Sequence, residues 1–225
     1  MSLAVVTGAG RGIGRATALA LARRGHDVVL AGLSLAHLEQ VASELIALGR
    51  NAWTLACDVG DSAQVAELKT RVLALGTPEV LVHSAGIVKR AITEHVTDED
   101  WDAVMGANLR GPFLVTRAFL PSMKAQGRGR IVFVASISSV LGTPGIASYC
   151  ASKWGVLGFA KSLTEETRDT GVFVASILPG SVDTDMLKGS GFAPKMTADE
   201  VARSIEFLAL DAPPAMHGTA LEMFG

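Results

Sequence analysis

The chain has 225 residues, 49% of them hydrophobic and 19% charged, with a formal net charge of −2. That length suits one large α/β core rather than two full domains, and the apolar excess suits a sheet buried on both faces and argues against disorder. Near-neutral charge without a basic block excludes the footprint of a nucleic-acid binder and points to small-molecule partners.

Leu3–Val6 is apolar and stops at Thr7-Gly8. This run is too short, and lacks the basic flank, for a secretion signal. No stretch approaches the ~18 apolar residues of a membrane span. No membrane partner and a cytoplasmic location are expected. The two cysteines, Cys57 and Cys150, are far apart and lack metal-ligand spacing, which predicts free thiols and no metal site.

In chain order, Leu3–Val6 reads as a strand and Gly12–Arg24 as a helix, followed by strand Val28–Ala31 and helix Leu35–Leu48. Strand Ala52–Ala56, helix Ser62–Leu75 and strand Val80–Val82 come next. A long helical pattern covers Asp98–Lys124, where Pro112 and Pro121 predict a kink or a break. Strand Ile131–Ala135, helix Ser148–Asp169, strand Phe173–Leu178, helix Thr197–Leu210 and a short strand at Leu221–Phe224 complete the series. Strands that alternate with helices predict an α/β fold with a doubly wound parallel sheet, because parallel neighbours need a crossover. No linker interrupts residues 1–225, so one domain is expected. The Gly-rich stretch from Lys188 to Lys195 is the candidate for a mobile lid.

The first strand runs into Thr7-Gly8-Ala9-Gly10-Arg11-Gly12-Ile13-Gly14, and a helix follows. Glycines permit a tight turn and close approach of the backbone to a pyrophosphate, while a helix N-terminus offers free N–H groups and partial positive charge. The spacing is T-G-x-x-x-G-x-G, not G-x-G-x-x-G. A dinucleotide site that excludes a 2′-phosphate carries an acid at the end of the second strand. Here the sequence reads Leu30-Ala31-Gly32-Leu33-Ser34, without one. Arg11 could pair with a 2′-phosphate and Ser34 could hydrogen-bond it, which favours NADP(H) over NAD(H). A solvated loop charge remains the alternative for Arg11.

Tyr149, the only tyrosine, and Lys153 stand four apart and would share a helix face. An ammonium nearby would favour the phenolate and lower a pKa that is otherwise near ~10. Ser136, thirteen residues before Tyr149, falls at the carboxyl end of a strand, where open α/β sheets bind ligands. Ser139 is the alternative serine.

With these residues the chain resembles the short-chain dehydrogenase/reductase family, and among its members the 3-oxoacyl reductases. The resemblance implies a single Rossmann-type sheet of about seven strands, in the order 3-2-1-4-5-6-7, with helices on both faces. It implies Tyr149 as general acid/base, Ser136 as the group polarising the substrate oxygen, and Lys153 as the group that lowers the tyrosine pKa and holds the nicotinamide ribose. Asn108 would anchor a water in the proton relay. The cofactor would meet Thr7, Gly8, Gly10, Arg11, Gly12, Ile13, Gly14, Ser34, Asp58, Val59, Ala85, Gly86, Tyr149, Lys153, Pro179, Gly180, Val182 and Thr184. Without the resemblance, Asp58 reads as a turn residue and Thr184 as a cap.

The implied activity is NADPH-dependent reduction of a ketone or 3-oxoacyl group. An NAD-dependent alcohol dehydrogenase and a non-catalytic dinucleotide sensor are the alternatives. A homodimer or homotetramer is implied as well. The chain departs from the family in two places. His83-Ser84-Ala85-Gly86 stands where the family has Asn-Asn-Ala-Gly, and residues 185–197 form a short substrate lid that leaves the pocket open or for another subunit to complete.

Overall fold

Strand and helix alternate through the computed structural model, which describes residues 2–225. Strand β1 (Leu3–Thr7) leads to α1 (Gly12–Arg23), β2 (Asp27–Gly32) to α2 (Leu35–Ala47), and β3 (Ala52–Ala56) to α3 (Ser62–Leu75). After β4 (Val80–His83) come α4 (Asp98–Met105) and α5 (Gly111–Ala125), then β5 (Gly129–Val134), α6 (Ala147–Thr167), β6 (Val172–Pro179), α7 (Ala198–Glu206) and β7 (Ala220–Met223). The strands form one sheet in the order β3-β2-β1-β4-β5-β6-β7, with every neighbouring pair parallel. This is the expected doubly wound sheet.

Successive side chains of a strand point to opposite faces, and both faces here are apolar. Ala4, Val6, Val28, Leu30, Val132 and Val134 join one core with Leu19, Leu21, Leu38, Val41, Val201 and Ile205 from α1, α2 and α7. Leu3, Val5, Val29, Leu81, Ile131 and Phe133 join the other with Leu68, Val72, Phe119, Met123, Val156 and Leu163 from α3, α5 and α6. A sheet covered in this way exposes ligand-accessible backbone only at the strand ends.

The predicted helix over Asp98–Lys124 is two helices, and the break precedes Pro112. One turn of π-helix, Gly106–Arg110, joins α4 to α5. Residue 112 cannot donate to the carbonyl of residue 108, so the regular i to i−4 ladder fails there, and a wider turn absorbs the loss. Asn108 is buried in that turn. At the start of α5, a β-carbon on Gly111 would lie 2.6 Å from Val59 Cγ2, so glycine lets the helix close on the loop after β3.

Phe119 is fully buried in the α3/α5/α6 core. Phe119→Ala should destabilise the protein by about 3–5 kcal/mol, as expected for an aromatic side chain removed from a close-packed core. The loss would be read as a lowered urea midpoint at unchanged slope.

Candidate active site

The strand order reverses between β1 and β4, and the crevice beyond their carboxyl ends is where open α/β sheets take ligands. The glycine loop follows β1 directly. Gly8 has φ +66°, and a β-carbon there would lie 2.7 Å from both the N and Cα of Ala85. Gly12 has φ +54°, and a β-carbon on Gly14 would overlap the Gly8 carbonyl. The loop is thus folded tightly onto α1, whose N-terminus at Arg11 has no side-chain cap. Its backbone N–H groups are left for an anion, so the cradle fits a dinucleotide pyrophosphate. Thr7, expected at the cofactor, is buried. It accepts hydrogen bonds from the N–H groups of Ser84 (3.2 Å) and Ala85 (3.3 Å), and so ties β1 to the loop after β4.

On the adenosine side, Ser34 caps α2 by accepting from His37 N–H at 3.4 Å. Leu33 is exposed, as its position just past β2 implies. Asp58 is also exposed, and its Oδ1 accepts from Gly60 N–H at 2.9 Å, the turn-residue geometry. Val59 is buried against Gly111. Arg11 is exposed and reaches across to Asp185 Oδ2 at 3.3 Å, so it is a solvent-exposed but paired charge. Sequence reasoning missed His37. A β-carbon on Gly10 would lie 2.9 Å from His37 Cβ, which puts the imidazole beside the glycine loop. Its place three residues into the helix capped by Ser34 was the available signal.

The reacting groups meet at the carboxyl ends of β5 and β4. Ser136 follows β5, and its oxygen accepts from Ser138 N–H at 3.1 Å, which leaves its proton free to be donated. Tyr149, Ser152 and Lys153 lie on the first two turns of α6. Ser136 acts to lower the pKa of the Tyr149 phenol, whereas Ser139 is fully buried and its hydroxyl has no hydrogen-bond partner. The geometry therefore favours Ser136 over Ser139.

Lys153 is buried, and its Nζ donates to the Val134 carbonyl at 2.9 Å and stands 5.7 Å from the centre of the Tyr149 ring. Burial pulls its pKa down to about 8. Burial also raises the Tyr149 pKa above its ordinary value, while Ser136 and the Arg90 charge act the other way. The expected lowering of the phenol pKa by Lys153 is not what this geometry shows, because the ammonium is directed at the β5 carbonyl.

Asn108 is fixed from three sides. Its Oδ1 accepts from Ile87 N–H at 2.8 Å, and its Nδ2 donates to the Ile87 carbonyl at 2.9 Å and to Ser152 Oγ at 3.0 Å. Ser152 in turn donates to the Tyr149 carbonyl at 2.7 Å. Sequence reasoning missed Ser152, although its place three residues after Tyr149 put it on the same helix face. Gly86 lies over this group, where a β-carbon would stand 3.2 Å from Asn108 Oδ1 and 3.7 Å from Lys153 Nζ.

The far rim follows β6. Gly180 N–H donates to the Met223 carbonyl at 2.8 Å, Val182 is buried and bridged to Met196, and the Thr184 methyl lies against Gly12. A 3₁₀ turn, Asp185–Leu187, begins the segment expected as a lid. The segment is largely exposed until Thr197 starts α7, where Thr197 and Glu200 cap each other's N–H groups.

His83 serves the core. It stacks on Phe133 with ring centres 4.6 Å apart and shares a 2.9 Å hydrogen bond with Thr116 Oγ1. Burial pulls its pKa from 6.5 to about 3. The unfolded chain therefore takes up a proton below 6.5 that the folded protein refuses until about 3. Stability must fall as pH drops through that window, by about 1.4 kcal/mol per pH unit. His83→Asn should flatten this acid limb relative to wild type in urea titrations, and parallel limbs would contradict the assignment.

Among the described residues, no group of three or more His, Cys, Asp or Glu side chains is placed to hold a metal, and no helix is long and apolar enough to cross a membrane. Cys57 and Cys150 are free, as expected.

Comparison with known proteins agrees with this geometry. Residues 2–193 match the family model for short chain dehydrogenases. A 3-oxoacyl-[acyl-carrier-protein] reductase from Synechocystis is 38% identical over 224 residues, covering 95% of this chain and 91% of the relative. The reductase of the same description from Escherichia coli is 32% identical over 236 residues, covering 99% and 96%. Among solved structures, a protein assigned as an NAD(P)-dependent gluconate 5-dehydrogenase from Beutenbergia cavernae, with bound NADP, aligns with a TM-score of 0.92 at 34% identity, covering 98% of this chain and 94% of that one. An alcohol dehydrogenase from Thermococcus sibiricus, complexed with 5-hydroxy-NADP, aligns with a TM-score of 0.90 at 31% identity, covering 99% and 96%.

Proposed function

Because the chain belongs to the short-chain dehydrogenase family and is an NAD(P)-dependent oxidoreductase acting on a carbonyl or alcohol group, we propose that it reduces a ketone, of the 3-oxoacyl class, with NADPH. The observation that carries this reading is the placement of Ser136 at the end of β5 and of Tyr149 and Lys153 on the first two turns of α6, with Lys153 Nζ 5.7 Å from the Tyr149 ring centre, at the carboxyl edge of the sheet that also carries the glycine loop. Two O–H donors converging on one point are what a carbonyl oxygen gaining negative charge requires. The 3-oxoacyl class is supported by the names of the reductases from Synechocystis and E. coli.

The residues divide the work as follows. The glycine loop, with Ile13 and the N-terminus of α1, holds the pyrophosphate. Asp58 and Val59 border the adenine, while Ala85, Gly86, Pro179, Gly180, Val182 and Thr184 line the nicotinamide end. When bound, NADPH supplies the hydride. Ser136 orients the substrate oxygen, and Tyr149 donates a proton to it. Lys153 would hold the nicotinamide ribose hydroxyls, and its ammonium, 5.7 Å from the Tyr149 ring centre, would favour the phenolate left by proton transfer. The carbonyl of Asn108 lacks a donor four residues on, because residue 112 is proline, and would hold the water that reprotonates the site.

Tyr149→Phe should lower kcat by about a hundred- to ten-thousandfold while leaving NADPH affinity in place. Wild-type turnover with cofactor binding intact would overturn the assignment.

The preference for NADP(H) rests on Arg11, on Ser34 and on the absence of an acid at the end of β2. Arg11 would leave its solvent-exposed pair with Asp185, which costs little, to meet a 2′-phosphate. Arg11→Ala should weaken NADPH about tenfold, the scale of one charge-assisted hydrogen bond, and NADH much less. Equal losses for the two cofactors in fluorescence titrations would refute the preference.

A homodimer or homotetramer is part of this reading. It is supported by the exposed Trp101, Phe113 and Trp154 on α4, α5 and α6.

A further inference from the structure

Arg90 lies outside the groups assigned above, on the irregular segment that follows β4. That segment is pinned to the entrance of α6. Ala91 N–H donates to the Gly145 carbonyl at 3.0 Å, and Ala91 pairs with Ile146 in a parallel bridge. Arg90 is thereby held beside the first turn of α6, which carries Tyr149. Its guanidinium spans the mouth of the site, donating through Nη2 to the Met186 carbonyl at 2.8 Å on the 3₁₀ turn that opens the lid segment. The phenol feels this charge, which acts to lower the Tyr149 pKa.

Among the described residues Arg90 has no carboxylate within ion-pair distance, and two acids near it in sequence or on the rim are already paired with other cations. Asp100 pairs with Lys89 at 2.9 Å, and Asp185 pairs with Arg11 and Lys188. An arginine has five donors in a planar fork matched to a carboxylate. A single backbone carbonyl uses one of them.

We propose that Arg90 is a specificity-determining residue that binds a carboxylate lying a few bonds from the ketone being reduced, so that short oxo acids are favoured over neutral ketones; this rests on the carbonyl-reduction reading above. Each end of such a substrate has its own donors: Tyr149 and Ser136 at the ketone oxygen, Arg90 at the acid. In a 3-oxoacyl thioester the thioester oxygen stands at the same spacing and accepts one neutral hydrogen bond. A free 3-oxo acid offers the full fork–carboxylate pair, which makes charge the feature that Arg90 reads.

The test compares acetoacetate with ethyl acetoacetate, which differ at this end by one charge, using the full-length protein with NADPH. Wild type should favour acetoacetate. In Arg90→Gln the ratio of kcat/KM for acid over ester should fall about ten- to hundredfold, the worth of a charge-assisted pair, with most of the change in KM for the acid. Arg90→Lys should keep part of the preference. An unchanged ratio in Arg90→Gln, or a wild-type preference for the ester, overturns the role of Arg90 and leaves the reduction reading standing. If wild type reduces neither compound, the reduction reading is what fails for this substrate class. Calorimetry on the NADP⁺ complex then decides Arg90. Acetoacetate binding that is weakened in Arg90→Gln supports the role, and acetoacetate binding no better than the ester overturns it, a comparison that wild type alone can supply if Arg90→Gln does not fold.

Discussion

No β-carbon fits at Gly8, and much of the site depends on that exclusion. The left-handed turn at Gly8 brings the glycine loop into contact with the backbone of Ser84 and Ala85, and Thr7 locks the two strand ends together from below. Any side chain at Gly8 would push β1 and β4 apart at the point where the sheet changes direction. The crevice would then widen between the uncapped N-terminus of α1 and the end of β4, the two edges that must grip one ligand between them. Close backbone approach takes the place of an added binding domain.

The polar groups under that crevice are buried, and nearly all are hydrogen-bonded. Lys153, Asn108 and Ser152 are each less exposed than most surface residues of the chain, yet each bonds to main chain from β5, from the loop after β4 or from α6 itself. Burying such groups without partners would be costly, and in this arrangement the desolvation that disfavours charge also fixes geometry. Asn108 illustrates the coupling. A helix that ran straight from Asp98 to Ala125 would keep a regular ladder, and the π-turn gives up that regularity to bury the amide where it can hold the Ile87 backbone and reach Ser152.

The sheet was legible in the sequence because a parallel sheet buried on both faces leaves apolar runs separated by helix-period segments, and because the order of strands follows from a family pattern spread along the chain. The glycine loop, the four-residue step from Tyr149 to Lys153 and the thirteen-residue step from Ser136 were legible for similar reasons, each being a local spacing with a physical purpose. What stayed hidden depended on long-range partners. Arg11 reads as a phosphate ligand or a solvated charge until Asp185, 174 residues away, comes into reach. The pKa of Tyr149 followed from helix spacing only on the assumption that Lys153 points at the phenol, and a carbonyl at the end of β5 competes for it. The prolines of the long helical segment signalled a break, but its place was set by the loss of the donor at residue 112 and the packing of Gly111 on Val59. His83 showed in the sequence only as a departure from the family pattern, and its place in the core depends on Phe133 and Thr116.

The rim is built differently from the floor. Residues that would turn over any carbonyl are clamped into the two cores, whereas Arg90 and the stretch that begins at Asp185 hang from the scaffold by a few main-chain hydrogen bonds and expose most of their side chains. Mutations at the rim therefore meet little packing resistance, while mutations at the floor meet a great deal. A lineage carrying this fold can exchange what it recognises one surface residue at a time without passing through unstable intermediates, and its chemistry stays the same while its diet drifts.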